Sequence, residues 1–335
     1  YYVEQTPNAV LAMLDQKEAI VRELCTFLTE RDVKRILLIA SGSSRHAVLC
    51  AEYFMKHYMP YDVKIISPFT FLHYDHEMRP GDLAVIVSQS GKSTNCQEVQ
   101  TWLNSRDLPY AVLTADRNSP LARRAGHAMD WGCGEESVTF VTKGPVTLIA
   151  YLFLVSLSMA LQYKTISQEE YDICILEIRK AMDAHRTFQK AAETYIEANR
   201  ETLHDMKYVW VIGAGAQYGA AMEAALKISE TVKVPAYAYE TEEFLHGPVY
   251  PITPASTIII FDAEGQAKQR IHDIDRACRS VTDRVILISD DAAADPHVIS
   301  SGIPLKRELS VLASLDVCPL IADEASDRLS HDPHP

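Results

Sequence analysis

The sequence predicts an α/β protein made of two tandem, doubly wound domains, each with a parallel sheet covered by helices on both faces. Short runs of apolar, β-branched residues alternate with helix-like stretches, a pattern typical of βαβ units. The same pattern occurs twice along the 335 residues, once in each half of the chain. Two copies of one domain are therefore the simplest interpretation.

The first half contains a helical lead-in, predicted over residues 1–30, followed by a first domain over 31–163. Four buried strands are predicted in this domain, at 35–40, 63–67, 83–88 and 111–115. Helix-like stretches connect the strands, at 44–58 and 93–106. Since strand and helix alternate, neighbouring strands should run parallel.

The second half repeats this order. Its four strands are predicted at 208–213, 235–239, 256–261 and 284–289. Placing "LLIASGSS" (37–44) over "VWVIGAGA" (209–216) aligns the first strands of both halves together with the loops that follow them. We therefore predict a helical linker over 164–204 and a second domain over 205–335.

Composition excludes several classes of protein. The net charge of −13 and the absence of long basic runs argue against nucleic-acid binding. The apolar stretch 145–163 contains Thr, Ser and Tyr, and we expect a buried helix there rather than a membrane span. Seven scattered cysteines without a CxxC pair indicate reduced thiols in a cytoplasmic protein, with no metal site.

Two loops rich in serine and glycine follow strands of the first domain. They are "SGSS" (41–44) and "SQSGKST" (88–94). Ligands of open α/β sheets bind beyond the carboxyl ends of the strands, where helix N-termini offer free N–H groups to anions. Hydroxyl groups add donors, so we predict a phosphate site in which Ser43 and its neighbours take part. The alternative is that these serines only cap helices.

Two nucleotide-binding motifs are incomplete. A Walker A loop ending in "GKST" requires glycine at position 86, which is Ile86. The dinucleotide fingerprint in "GAGAQYG" (213–219) requires glycine at position 218, which is Tyr218. In the second half, "FDAEGQAK" (261–268) takes the place of the serine loop and adds two acids, so we assign the phosphate to the first domain.

Charged residues in the second half are candidates for chemistry. In "EAALKISE" (223–230), Lys227 and Glu230 share a helix face, with Glu223 one turn away. Surface ion pairs are the alternative. His246 precedes Gly-Pro and so lies on a turn. Histidine exchanges protons near neutral pH, although a lone histidine in a loop is more often structural or solvated.

The motifs "SQSGKS", "EAALKISE" and "EEFLHGP", in this order, resemble the sugar isomerase (SIS) family. The resemblance covers nearly the whole chain. It is to the branch that holds the isomerase half of glucosamine-6-phosphate synthase and the fructosamine-6-phosphate deglycases. It implies flavodoxin-like tandem domains, a small-molecule sugar phosphate as ligand and no cofactor.

The resemblance also implies roles for residues. It assigns Glu230 to proton transfer between neighbouring sugar carbons, and Lys227 to the same site. It assigns His246 to ring opening in the partner subunit's site, which implies a homodimer with shared active sites and leaves higher oligomers open. Thr139 and Thr142 belong to a loop that would cover the sugar. The implied phosphate ligands are Ser44, Ser88, Gln89, Ser90 and Ser93.

Three departures from the synthase refine the expected function. The sequence holds no glutaminase domain and no C-terminal tail with a site lysine, and Lys92 stands where the synthase has an acid. Without a glutaminase domain, we do not expect glutamine-fed synthesis. Among enzymes that act on phosphosugar amines, we favour a deglycase that cleaves an amino-acid–sugar 6-phosphate adduct. A glucosamine-6-phosphate deaminase, an aldose–ketose isomerase and a non-catalytic sugar-phosphate sensor are the alternatives.

Overall fold

The computed structural model describes residues 1–138, 140–263 and 265–327, apart from the side chain at position 307. The chain divides into two compact units. We call Glu4–Leu176 the N-terminal unit and the described residues from Glu177 onward the C-terminal unit. The boundaries predicted for the domains stay a prediction.

The N-terminal unit contains a five-stranded sheet in the order β2-β1-β3-β4-β5, and every neighbouring pair is parallel. Its strands are β1 (Arg35–Ala40), β2 (Asp62–Ile66), β3 (Asp82–Val87), β4 (Tyr110–Leu113) and β5 (Ala128–Met129). The first four lie where the apolar runs predict them. The sequence analysis missed β5, because two residues are too short for a periodic pattern.

Helices cover both faces of this sheet. They are α1 (Tyr2–Asp15), α2 (Lys17–Thr29), α3 (Gly42–Tyr58), α4 (Pro68–His73), α5 (Thr94–Asn104), α6 (Pro120–Arg124) and α7 (Lys143–Gln162). By length and composition α7 could cross a membrane, yet 89% of its apolar stretch is buried inside the protein. This burial agrees with the core helix predicted at 145–163.

A long helix, α8 (Gln168–His204), follows and bends at Asn199, whose φ of −122° is not helical. The second sheet lies in the C-terminal unit. Its strands are β6 (Tyr208–Gly213), β7 (Ala236–Glu240), β8 (Ser256–Phe261), β9 (Val285–Ser289) and β10 (Val298–Ser300). Read from β7, the order is β7-β6-β8-β9-β10, again all parallel.

The two sheets therefore share one strand order, and the predicted fold class of two tandem doubly wound domains is confirmed. The remaining helices of the C-terminal unit are α9 (Ala216–Thr231), α10 (Thr241–Leu245), α11 (Ala267–Arg279), a 3-10 turn at Arg307–Ser310, α12 (Val311–Ser314) and α13 (Val317–Ser326). The strand order reverses beside β1 in the first sheet and beside β6 in the second. Ligands of such sheets bind at this switch point, beyond the strand ends.

Candidate functional site

The two serine loops lie at the switch point of the first sheet. One joins β1 to α3 and the other joins β3 to α5, and these two strands are direct neighbours. Ser43 and Ser44 fall in the first turn of α3, while Ser93 immediately precedes α5. The structure thus brings the predicted phosphate-binding residues of both loops to one edge of one sheet.

The serine side chains do not cap these helices. Ser41 and Ser93 occupy the N-cap positions of α3 and α5, and neither hydroxyl accepts a hydrogen bond from its helix. The capping alternative is therefore wrong for both positions. Neither helix has an acidic residue in its first turn, so both N-termini keep the positive end of their dipoles for an anion.

Asn95 ties the two loops together. Its amide nitrogen donates to Ser41 Oγ at 3.0 Å, and Ser93 Oγ donates to its carbonyl oxygen at 2.5 Å. Because Asn95 belongs to α5 and Ser41 precedes α3, these bonds fix the distance between the two helix N-termini. The sequence analysis overlooked this asparagine, which lies just beyond the serine motif.

Gly91 allows the second loop to turn tightly. Its φ is +59°, and a Cβ built on it would overlap the side chain of Ser119. Ser119 is buried and caps α6 by accepting a hydrogen bond from the N–H of Ala122. The loop therefore lies directly against the start of α6, and only glycine fits there.

Glu136 forms hydrogen bonds with both the second serine loop and the start of α7. Its carboxylate accepts hydrogen bonds from the backbone N–H groups of Thr142, Lys143 and Gly144, at 2.7 to 2.9 Å, and so caps α7. The amide of Gln89 donates to the same carboxylate at 2.7 Å. This glutamate, which the sequence analysis missed, connects the serine loop to the start of α7.

Gln89 and Thr142 are thus already engaged in hydrogen bonds. The hydroxyl of Thr142 donates to Glu136 at 3.2 Å. The amide of Gln89 also lies 3.8 Å from the Cys133 sulfur, and burial raises the pKa of that thiol to about 11. The roles predicted for Gln89 and Thr142 stay predictions, and Thr139 lies outside the described residues.

In the C-terminal unit, α9 carries a buried ionic array. The Lys227 ammonium lies 3.3 Å from Glu223 Oε1 and 2.7 Å from Glu230 Oε1. Glu223 and Lys227 are 2% and 3% exposed, so the alternative of a surface ion pair is wrong. Burial of a charge pair has a large desolvation cost and is typical of a site with a specific role.

Glu230 differs from its two partners in access to solvent. Its side chain is 25% exposed, whereas that of Lys227 is 4% exposed. The lysine therefore holds a carboxylate whose other face is open. Such a carboxylate can exchange a proton with a bound molecule, while the buried ammonium fixes its position.

His246 follows α10, on an exposed turn as the sequence predicts. Its Nδ1 lies 2.8 Å from the carbonyl oxygen of Glu242. A carbonyl only accepts, so Nδ1 donates and Nε2 is left to take or give a proton. Nearby, the hydrogen bond from Arg270 holds the pKa of Glu242 below its ordinary value, and the charge of His246 contributes to this shift.

The switch point of the second sheet is built differently. Asp262 there accepts hydrogen bonds from Ser289 Oγ at 2.6 Å and from the backbone N–H of Ala263 at 2.8 Å. A cavity of about 350 Å³ lies beside it, bounded by Gly215 at the start of α9 and by Glu308. Two carboxylates here are consistent with the prediction that the phosphate belongs to the first domain.

Comparison with known protein families supports the resemblance. A family model described as "SIS domain" matches residues 31–157 and 202–295. The resemblance drawn from the sequence motifs is therefore confirmed.

Two curated relatives with similar sequences are aminotransferases by name. The glutamine–fructose-6-phosphate aminotransferase [isomerizing] of Zymomonas mobilis is 27% identical over 77% of this chain and 42% of its own length. The enzyme of the same name from Sulfurisphaera tokodaii is 24% identical over 99% of this chain and 52% of its own length. The chain thus spans about half the length of these curated relatives.

Among solved structures, the C-terminal domain of glucosamine-fructose-6-phosphate aminotransferase from Francisella tularensis superposes with a TM-score of 0.85. It is 18% identical and covers 97% of this chain and 94% of that chain. At this identity, the similarity supports the fold alone.

Proposed function

This chain belongs to the SIS domain family, and we propose that it is an enzyme acting on phosphosugar amines. Its proposed activity is that of a deglycase, which cleaves an amino-acid–sugar 6-phosphate adduct into hexose 6-phosphate and the free amine. The observation that carries this proposal is the Glu223–Lys227–Glu230 array on α9, in which a buried lysine holds an accessible carboxylate.

In the proposed reaction, the serine loops hold the phosphate. Two uncapped helix N-termini at neighbouring strand ends support this role. Phosphate binding would fix the sugar carbons so that the proton transfer occurs within one bound complex.

Glu230 would then move the proton. In the open-chain adduct, it removes a proton from the carbon that carries nitrogen, and the electron pair of that C–H bond forms the C=C bond of an enaminol. The π pair of the carbonyl moves to its oxygen, which takes up a proton from water. Glu230 returns its proton to the former carbonyl carbon, which accepts it with the C=C pair. The nitrogen lone pair forms a C=N bond and the nitrogen gives up its own proton to water, so that an imine results. Water adds to this imine and releases the amine, so no electrons leave the substrate.

His246 would open the sugar ring. Since its Nδ1 donates to Glu242, Nε2 is available to carry a proton between the anomeric hydroxyl and the ring oxygen. The position of His246 on an exposed turn supports a role at the site of a partner subunit. We therefore propose a homodimer with shared active sites.

The same groups would serve two other reactions. With glucosamine 6-phosphate, an identical proton transfer gives an imine that water converts to fructose 6-phosphate and ammonia. An aldose–ketose isomerase would stop at the sugar phosphate itself. A sugar-phosphate sensor needs the serine loops alone, and the buried array on α9 favours an enzyme over a sensor.

A product assay tests the proposal. The purified full chain is incubated separately with fructoselysine 6-phosphate, glucosamine 6-phosphate and fructose 6-phosphate, and hexose phosphate and free amine are measured. We expect glucose 6-phosphate and lysine from the adduct. Ammonia release from glucosamine 6-phosphate instead would show a deaminase, and interconversion of sugar phosphates alone would show an isomerase.

Glu230→Gln provides the matched test of mechanism. Loss of the proton acceptor should lower turnover by about 10² to 10⁴-fold while binding of fructose 6-phosphate is kept. Glu201→Gln, an exposed glutamate on α8, is the control and should retain full turnover. Full activity of the Glu230→Gln enzyme would rule out the proton-transfer role.

A further inference from the structure

One arginine beside the serine loops has an unsatisfied donor. The Nε–H of Arg45, on α3, is buried and has no hydrogen-bond acceptor. Among the described residues, none forms an ion pair with this guanidinium. Arg35, by contrast, forms a two-pronged contact with Asp82. A buried cationic donor without an acceptor calls for a specific explanation.

Arg45 lies one turn into α3, where its backbone N–H donates to the carbonyl oxygen of Ser41 at 3.3 Å. It lies four residues after Ser41, and residues four apart share one face of a helix. At the N-terminus of α3, Ser41 Oγ accepts a hydrogen bond from Asn95 of the second serine loop's helix. Side chains on a helix lean toward its N-terminus, so we infer that Arg45 leans toward the turn where α3 begins.

The charge around this turn favours an anion. The first turns of α3 and α5 contain no acidic residue. Lys92, in the adjoining loop, is exposed and has no ion-pair partner among the residues that the structure describes. Two cationic side chains thus accompany two helix N-termini. The carboxylate of Glu136, which accepts a hydrogen bond from Gln89 of the second loop, is shared with three backbone N–H groups at the start of α7.

We propose that Arg45 is a substrate-binding residue that receives an oxyanion of the substrate. A guanidinium offers two parallel N–H donors that match the two oxygens of a carboxylate or phosphate. Two groups of the proposed substrate have this chemistry: the phosphate on the sugar and the carboxylate of the amino acid. The second group rests on the proposed deglycase function, whereas the first does not.

Calorimetric binding to Arg45→Gln tests the proposal without any need for turnover. The probes are inorganic phosphate, fructose 6-phosphate, fructoselysine 6-phosphate and the adduct of fructose 6-phosphate with cadaverine, which lacks the carboxylate. The variant should bind at least one probe about 10 to 100-fold more weakly, as expected for a lost charge-assisted pair. Arg22→Gln, an exposed arginine on α2 with no ion pair among the described residues, is the control.

The pattern across probes identifies the oxyanion. Equal weakening for all phosphate-containing probes assigns Arg45 to the phosphate, and this result stands even if no deglycase activity is found. Weakening confined to fructoselysine 6-phosphate assigns it to the carboxylate. Unchanged affinity for every probe overturns the proposal.

A second variant keeps the proposal testable if Arg45→Gln does not fold. Arg45→Lys keeps the charge and loses the paired donors, and its melting temperature is measured beside that of Arg45→Gln. If only Arg45→Lys folds, it should still bind one probe more weakly than the wild type does. Wild-type affinity for all probes in whichever variant folds shows that Arg45 does not contact the substrate.

Discussion

At the scale of single residues, Gly91 is the position where the backbone of the second serine loop tolerates no side chain. In Gly91→Ala, the new methyl group would meet Ser119 and the backbone would keep a φ of +59°. We expect a loss of about 2 to 4 kcal/mol in the free energy of unfolding, from strain and overlap together. Urea denaturation measures this loss.

Gly42 provides the matched control for that substitution. Its φ is +54°, and a Cβ built there meets nothing within 4 Å. Gly42→Ala should therefore lose only the backbone part, about 1 kcal/mol. Equal losses in the two variants would show that contact with Ser119 does not restrict the loop.

Lys227 is the residue on which the buried array depends. Lys227→Met removes the ammonium next to Glu223 and should lower the free energy of unfolding by about 3 to 5 kcal/mol. Adding Glu223→Gln removes the charge that the lysine balanced, so the double variant should lose less than the sum of the single losses. Urea denaturation of the wild type, the two single variants and the double variant gives the coupling energy between Lys227 and Glu223. Strictly additive losses would contradict an interaction between these residues.

At the scale of elements, α7 depends on Glu136 for its first turn. Glu136→Ala would leave three backbone N–H groups without their acceptor and release Gln89. We expect the free energy of unfolding to fall by about 1 to 2 kcal/mol, as for a lost N-cap. Affinity for fructose 6-phosphate should fall as well, because the serine loop loses its tie to α7.

The adjacent residue is the control for this substitution. Glu135 contributes its backbone carbonyl, which accepts a hydrogen bond from Lys143 Nζ at 2.8 Å, and alanine retains that carbonyl. Glu135→Ala should therefore match the wild type in both stability and binding. If the two variants behave alike, the cap at Glu136 does not stabilise α7.

The elements also show what the sequence can and cannot predict. Apolar runs located β1 and β6 within the chain, because a central parallel strand is buried on both faces and leaves an unbroken pattern. The two short edge strands, β5 and β10, leave no such pattern. Helical spacing placed Lys227 and Glu230 on one face of α9, but spacing does not reveal whether that face is buried. Glu136 acts across a loop, and no fixed spacing marks such a contact.

At the scale of the whole molecule, the two units share one strand order and differ at their switch points. Helix N-termini without a side-chain cap occur at both, but the first adds serine hydroxyl groups there, while the second adds Asp262 and Glu308. In a duplicated fold, one copy can keep its ligand site while the residues of the other copy change. One copy can then bind the substrate while the other supplies the reacting groups. In the proposed enzyme, the first copy supplies the phosphate site, and α9 and the turn after α10 of the second copy supply the reacting groups.

A dimer with shared sites makes a testable prediction about mixed subunits. If each site combines Glu230 of one subunit with His246 of the other, Glu230→Gln and His246→Asn each inactivate every site of their own homodimer. A mixed dimer then has one site with both defects and one with neither. Mixing inactive variants after reversible dissociation should therefore restore up to about a quarter of wild-type turnover, since half of the dimers are mixed and half of their sites are intact. Turnover of the mixture is compared with that of each variant treated alone, and no recovery despite mass-spectrometric detection of mixed dimers would place both residues in the same subunit's site.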